Sequence, residues 1–236
     1  MPETRRDRLR AATVLEITQT ARRLLVDQGR DAVTLRAIAR EMGMTAPALY
    51  RYFDSHSELL GRVIGDVYND LTDDLRTAIR AVPPSDVSGR VLAASRQFRR
   101  WSLDHPREYG LLFGSPTPGS DVDPGDFAAA CSRRFGQTFL TLFVEVWQRG
   151  PFPVLADEEI DPGMRGQLDR FRADNGTTLP LGAVLVFLQC WVRLHGIVSL
   201  EVLGHLDFAL DDAAPLFELS LSELAERLGL TYTPPA

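Results

Sequence analysis

The chain of 236 residues contains no lysine; all 26 of its basic side chains are arginine. Every cationic contact it makes is therefore a guanidinium contact, planar and forked. A compositional bias of the source explains this as readily as a recognition device does, so it carries no functional weight alone. Cysteine is nearly missing too. Cys131 and Cys190 give neither a disulfide framework nor the paired spacing of a zinc site, so two buried thiols and no metal are expected. The four histidines are scattered at 56, 105, 195 and 205. No HExxH, P-loop or nucleophile elbow is present, so no enzyme activity and no cofactor are expected. No apolar run reaches the ~18 residues a membrane helix needs. The longest, around 183–192, is broken by Gln189 and followed by Arg193. The start, MPETRRDRLRAAT, has no apolar stretch behind its basic residues, so a cytoplasmic protein without a membrane partner is expected. Strand-type alternation is scarce as well, which points to an all-α fold.

What is present is helical periodicity and a divided charge. Hydrophobic residues make up 44% of the chain, enough for a sizeable core. Residues 1–53 hold ten arginines against six carboxylates, net +4, while residues 54–236 hold sixteen against twenty-six, net −10. A basic head on an acidic body suggests that the head meets a polyanion.

The first helix is expected over residues 8–28, with Val14, Ile17, Ala21, Leu24 and Leu25 on one face and Gly29 as its stop. A short helix follows over 35–42, with Thr34 at its N-cap and an inward stripe of Leu35, Ile38, Ala39 and Met42. After Gly43, Thr45 is placed to cap a third helix over 46–52. Pro47 falls in its first turn, where backbone N–H groups lack intrahelical partners anyway. Ala48, Leu49, Tyr52 and Phe53 are spaced to point inward, leaving Ala46, Pro47, Tyr50 and Arg51 outward. Two short helices across a tight turn form a helix-turn-helix.

Ser55 and Glu58 read as a capping box opening a long helix to about residue 81, stopped by Pro83 and Pro84. Further helices are expected near 88–104, 106–113, 125–149, 179–205 and 212–229. The turn-rich GSPTPGSDVDPGD and a longer region over 150–178, with a short helix near 164–173, interrupt them. DVDPGD breaks the EF-hand spacing and reads as a surface turn rather than a calcium loop. The tail TYTPPA is expected to be frayed. Two domains follow: residues 1–55, a basic helix-turn-helix head, and residues 56–236, a larger helical domain; the resemblance described next implies that the first is a DNA-binding domain and the second a ligand-binding and dimerisation domain.

The stretch TLRAIAREMGMTAPALYRYFDSHSELL resembles the DNA-binding region of bacterial TetR-family transcriptional regulators. The likeness rests on Thr34, Ile38, Ala39, Gly43, Pro47, Leu49, Tyr50, Tyr52, Phe53, Leu59 and Leu60. WVRLHG, residues 191–196, is similar to a Trp-x-x-x-His-Gly signature of one subgroup. The family commonly has lysine where this chain has His56, which is mostly neutral near pH 7 and weakens the expected phosphate contact there.

On this resemblance, Arg36 is expected to read a guanine edge or hold a phosphate. The hydroxyls of Thr34, Thr45, Tyr50 and Tyr52 suit phosphates, and the small surfaces of Ala46, Pro47 and Ala48 allow close approach. His56 can donate to a phosphate. Arg51 is either a contact or a solvated charge, and the rings of Tyr52 and Phe53 are core. The arm of Arg5, Arg6, Arg8 and Arg10 is either a source of general attraction or a disordered tail. The resemblance also implies a ligand cavity in the body, drawn from Trp101, Tyr109, Phe113, Phe139, Phe143, Phe187 and Trp191. His195, one turn beyond Trp191, is either a polar anchor there or a satisfied core histidine. The last two helices are apolar on more than one side, so Val192, Leu200, Leu203, Leu216 and Leu219 are expected to form a four-helix homodimer interface. Two heads would then face a palindromic double-stranded DNA operator, ~34–36 Å apart. A small apolar or aromatic effector would release a repressor. The competing reading is an all-α carrier or enzyme with a non-functional head.

Overall fold

A computed structural model describes residues 4–114 and 126–235 of the chain. Most of GSPTPGSDVDPGD, including its calcium-loop-like part up to Pro124 and Gly125, lies outside them. The described residues contain no strand. They form helices α1 Arg5–Gln28, α2 Leu35–Glu41, α3 Ala46–Leu49, α4 His56–Arg80, α5 Val87–Asp104, α6 Pro106–Phe113, α7 Phe127–Arg149, α8 Pro162–Asp174, α9 Leu181–Val202 and α10 Ala214–Arg227, with 3-10 turns at Arg30–Ala32 and Asp157–Glu159. Two compact units result: Met1–Asp70 with His105–Arg134, and Leu71–Asp104 with Phe135–Ala236.

In the first unit, α1 starts three residues earlier than its periodicity suggested. Thr4 accepts from the Asp7 amide at 3.2 Å, and the Asp7 carboxylate accepts from the Thr4 amide at 3.1 Å. This reciprocal cap holds the first turn, so Arg5, Arg6, Arg8 and Arg10 are helical rather than a disordered arm. The Thr4 hydroxyl, which donates to Asp7 Oδ2 at 2.6 Å, and then the Thr4 amide hold the Asp7 carboxyl below its usual range. Gly29, at φ +89, ends the helix and donates to the Leu25 carbonyl. Ile17, Ala21, Leu24, Ile38, Leu49, Phe53, Leu59 and Val63 are buried. Each such aliphatic or aromatic side chain contributes ~1.5–3 kcal/mol on leaving water.

α6 packs against α1 in this unit. Glu108 is 5% exposed, and its carboxylate accepts from Arg22 Nε at 3.4 Å, while the same guanidinium pairs with Asp70. A buried carboxylate needs such a partner, because its desolvation is otherwise uncompensated. The Phe113 ring lies 4.9 Å from Tyr109 and edge-on to Tyr68 at 5.9 Å. At the start of α7, Phe127 sits over Gly65 of α4, and the Arg62 guanidinium lies 4.5 Å from its ring centroid.

The second unit is built from the rest of α4 and α7 with α5, α8, α9 and α10. Leu140, Phe143, Val146, Phe152, Ile160, Leu168, Val184 and Val186 form one buried cluster. Phe152 and Ile160 anchor the segment read from sequence as a long loop, and α8 within it is longer than expected. Asp161 caps α8, accepting from the Gly163 and Met164 amides at 2.8 and 3.2 Å. Ion pairs fasten the helices: Arg90 to Glu145, Arg96 to Glu218, Arg99 to Glu201 and Arg193 to Glu223. α9 is long and apolar enough to pass for a membrane span by composition. Its buried face, Ala183, Val184, Leu194 and Val198, is instead part of this unit's core.

The tail is not frayed. Residues 228–233 lie back along the unit and are held by three side chains, an arrangement taken up below.

Candidate functional site

Thr34 accepts from the Ala37 amide at 3.1 Å and caps α2, and Gly43 turns the chain at φ +65. Pro47 lies in the first turn of α3, as expected. Two details differ. Thr45 has the extended backbone of an N-cap, but its side chain makes no capping bond. α3 also ends at Leu49, because the Arg51 and Tyr52 amides donate three residues back, to Ala48 and Leu49 at 3.3 and 2.9 Å, tightening the turn. Tyr50 is the C-cap of α3.

The sequence-selected residues fall on this surface. Thr34, Arg36, Thr45, Pro47, Tyr50, Arg51 and His56 are exposed, while Ala46 and Tyr52 are half-buried. Tyr50 is 54% exposed. Among the described residues, the side chains of Arg36, Tyr50 and Arg51 enter no hydrogen bond or ion pair. That leaves two guanidinium forks and a phenol for a partner, chemistry suited to phosphates and guanine edges.

His56 is otherwise engaged. Its Nε2 lies 2.6 Å from the Val33 carbonyl, which can only accept, so Nε2 carries the proton and ties the start of α4 to the residue before the α2 cap. In the neutral ring Nδ1 then bears only a lone pair, so no N–H of His56 is left for a phosphate. Arg10 was read from sequence only as part of a basic arm. Its Nη1 donates to the Arg51 carbonyl at 2.8 Å, and its guanidinium lies 5.3 Å from the Tyr52 ring centroid. Arg10 thus positions the turn that displays Tyr50 and Arg51. No sequence signal distinguished it from its neighbours.

In the second unit, α5, α7, α9, α10 and the chain just after α10 line a partly open cavity of about 70 Å³. Phe139, Phe143, Phe187 and Trp191 of the expected set line it. Val91, Leu92, Ser95, Leu142, Val146, Cys190, Leu194 and Leu221 join them. The sequence did not mark these as a site, since aliphatic residues carry no chemical signature. Trp101, Tyr109 and Phe113 are not in this lining. Trp101 is 2% exposed within α5, and Tyr109 and Phe113 pack in the first unit.

His195 does not line the cavity either. It stands beside Trp191 at 5.1 Å between ring centroids and stacks near Phe98 at 6.2 Å, with Nδ1 3.2 Å from Ser199 Oγ. Burial lowers its pKa from the usual value, keeping the imidazole neutral. Cys190 is half-buried, and burial pushes its thiol up to about 11; Cys131 is buried and its thiol is also raised. Among the described residues, no group of His, Cys, Asp or Glu is placed to hold a metal ion.

Several large apolar side chains of α9 and α10 are exposed. Val192 is 68% exposed, Leu200 44%, Leu203 49%, Leu216 37% and Leu219 56%. Val192, Leu200 and Leu203 are eight and eleven residues apart on one helical face. Phe208, just beyond α9, is 89% exposed and was missed by the sequence reading.

Comparisons with known proteins agree with this architecture. A family model described as bacterial regulatory proteins, tetR family, matches residues 17–63, and one described as tetracyclin repressor-like, C-terminal domain, matches residues 91–224. The HTH-type transcriptional regulators Mb1846 of Mycobacterium bovis and Rv1816 of Mycobacterium tuberculosis are each 32% identical over 189 residues, covering 80% of this chain and 80% of theirs. The solved structure of SCO4313 is 32% identical, superposes with a TM-score of 0.72 and covers 94% of this chain and 100% of its own. RolR, solved in complex with the ligand resorcinol, is alike in fold alone, at 17% identity and a TM-score of 0.58 over 97% of both chains.

Proposed function

The chain belongs to the tetR family of bacterial transcriptional regulators, and from that premise we propose that it is a repressor which binds a palindromic operator as a homodimer and leaves it on binding a small apolar effector. Residues 1–55 act as the reading head, and residues 56–236 carry effector binding and dimerisation.

The observation that carries the DNA-binding part is the set of unengaged polar groups on Arg36, Tyr50 and Arg51, presented by the capped helix α2 and by the end of α3 with the turn that follows it. Pro47 and the half-buried Ala46 keep the approach low, so α3 can seat in a major groove. Arg10 holds the following turn in place, so the contacts are set before binding. The exposed apolar side chains Val192, Leu200, Leu203, Leu216 and Leu219 of α9 and α10 support pairing with a second copy, which would bury them. The apolar cavity supports an effector of matching chemistry. An effector that binds the DNA-free arrangement more tightly shifts the population toward it.

The test is fluorescence anisotropy with duplex DNA from around the protein's own gene. Replacing Arg36 by Ala is expected to cost ~1–3 kcal/mol of operator binding if it reads a base, and to lower the salt slope by about one if it holds a phosphate. The double replacement of Arg36 and Tyr50 by Ala is expected to abolish specific binding while helicity is retained. An unchanged affinity in the double variant would remove this face as the DNA interface.

A further inference from the structure

The C-terminal tail is bound where a flexible end was expected, and Leu230 at its start forms part of the cavity wall. α10 ends in a Schellman motif: the Gly229 amide donates to Glu226 at 3.0 Å and the Leu230 amide to Ala225 at 2.8 Å, with Gly229 at φ +67. That left-handed glycine reverses the chain and places Leu230 in the cavity lining beside Leu228 of the helix end. The next residues run across α5. The Thr231 amide donates to Ser88 Oγ at 3.1 Å, and Arg96 Nη2 donates to the Thr233 carbonyl at 2.6 Å. Arg96 is itself held by Glu218 of α10 through two bonds, at 2.9 and 2.7 Å, and the Tyr232 hydroxyl donates to the same carboxylate at 2.8 Å. Tyr232 also lies under the Arg96 guanidinium, 5.7 Å from it.

These bonds converge on one four-residue strap with a single glycine at its base. Both partners of the Arg96–Glu218 pair are one-fifth exposed on the side chain, so the latch is reached by solvent and can open without dismantling a core. The lining behind it offers nothing to a charge. Ser95 donates its hydroxyl to the Val91 carbonyl at 3.0 Å, and Cys190 stays a neutral thiol. A charged molecule entering there would lose its hydration without a partner.

We infer that residues 230–233 are the gate of this cavity, latched by Arg96, Glu218 and Tyr232, and that it admits an uncharged apolar molecule. The inference rests on the cavity being the effector site. Gate opening at Gly229 exchanges the occupant; the latch sets how often that happens and leaves the closed-state contacts intact.

The probe is N-phenyl-1-naphthylamine, a neutral apolar fluorophore, mixed with the full-length protein in stopped flow. Tyr232→Ala and Arg96→Gln are each expected to raise the association and dissociation rates together, by ~3–10-fold as for loss of one or two hydrogen bonds, with the dissociation constant within about twofold of the unaltered protein. Ala225→Leu, which grows a side chain into the lining, is expected to weaken binding about tenfold or more. Val198→Ala, a buried site outside the lining, is the control for general loosening. Unchanged rates in the latch variants, with Ala225→Leu still blocking the probe, would overturn the gate and leave the cavity standing. Equal acceleration by Val198→Ala would also overturn it. Binding indifferent to Ala225→Leu would refute the cavity reading, and the gate with it.

Discussion

Gly61 and Gly65 lie one turn apart on α4, and alanine at the two positions should act in opposite directions. A Cβ at Gly61 has only the Asp126 carboxylate near it, at 3.6 Å, an ordinary contact. Gly61→Ala therefore gains helix propensity, ~0.8–1.0 kcal/mol, without a steric cost. A Cβ at Gly65 would stand 2.3 Å from both Cδ1 and Cε1 of Phe127 and 3.4 Å from Cys131 Sγ. The ring cannot remain there. Swinging it outward gives up the Arg62 contact, ~0.5–1 kcal/mol at an exposed site, and displacing α7 costs the ~1–3 kcal/mol typical of overpacking. The steric term exceeds the propensity gain, so Gly65→Ala should lose up to about 2 kcal/mol net while Gly61→Ala gains about 1. For a chain of this size, 1 kcal/mol moves Tm by ~2–4 °C, so the two variants should differ by roughly 2–12 °C. Thermal unfolding followed by far-ultraviolet circular dichroism measures this directly. If both alanines raise Tm alike, the close packing of Phe127 on α4 is wrong.

Two further outcomes follow from the second unit. Val192→Glu, at the most exposed apolar position of the α9 face, should weaken self-association by about 2 kcal/mol or more, read as monomer by sedimentation; an unchanged dimer would move the interface elsewhere. His195 should make stability fall in mild acid. Its folded pKa lies below the unfolded value of ~6.5, so its contribution is complete above that pH and is lost as pH falls below it. The urea midpoint should therefore drop more between pH ~7.5 and ~5.5 for the natural chain than for His195→Gln; parallel drops would assign the acid sensitivity to other groups.

The head was legible because its residues interact locally. Thr34 as a cap, Pro47 in a first turn and Gly43 at positive φ are all short-range rules, and each is visible in the sequence. The Thr4–Asp7 cap has aspartate in place of the usual glutamate or glutamine, which is why the helix start was placed late. The role of Arg10 depends on a carbonyl 41 residues away, and no periodicity reports that. The cavity was half legible: its aromatic members lie on apolar helical faces, but Leu142, Leu221 and Leu230 share a wall only through packing. The tail was misread because TYTPPA has the composition of a loose end, and its anchors, Ser88 and Arg96, lie more than 130 residues upstream.

Phe113, which packs edge-on to Tyr68, comes from residues 105–134, not from the sequence adjoining the helix-turn-helix. A chimaeric sensor made by transplanting only the first 70 residues would leave behind Glu108 and Phe113, stranding Arg22 with one carboxylate and baring the Tyr68 ring. Anyone exchanging recognition specificity between such proteins should move α6 and the opening of α7 along with the reader, or confine the exchange to the few exposed side chains of α2 and α3.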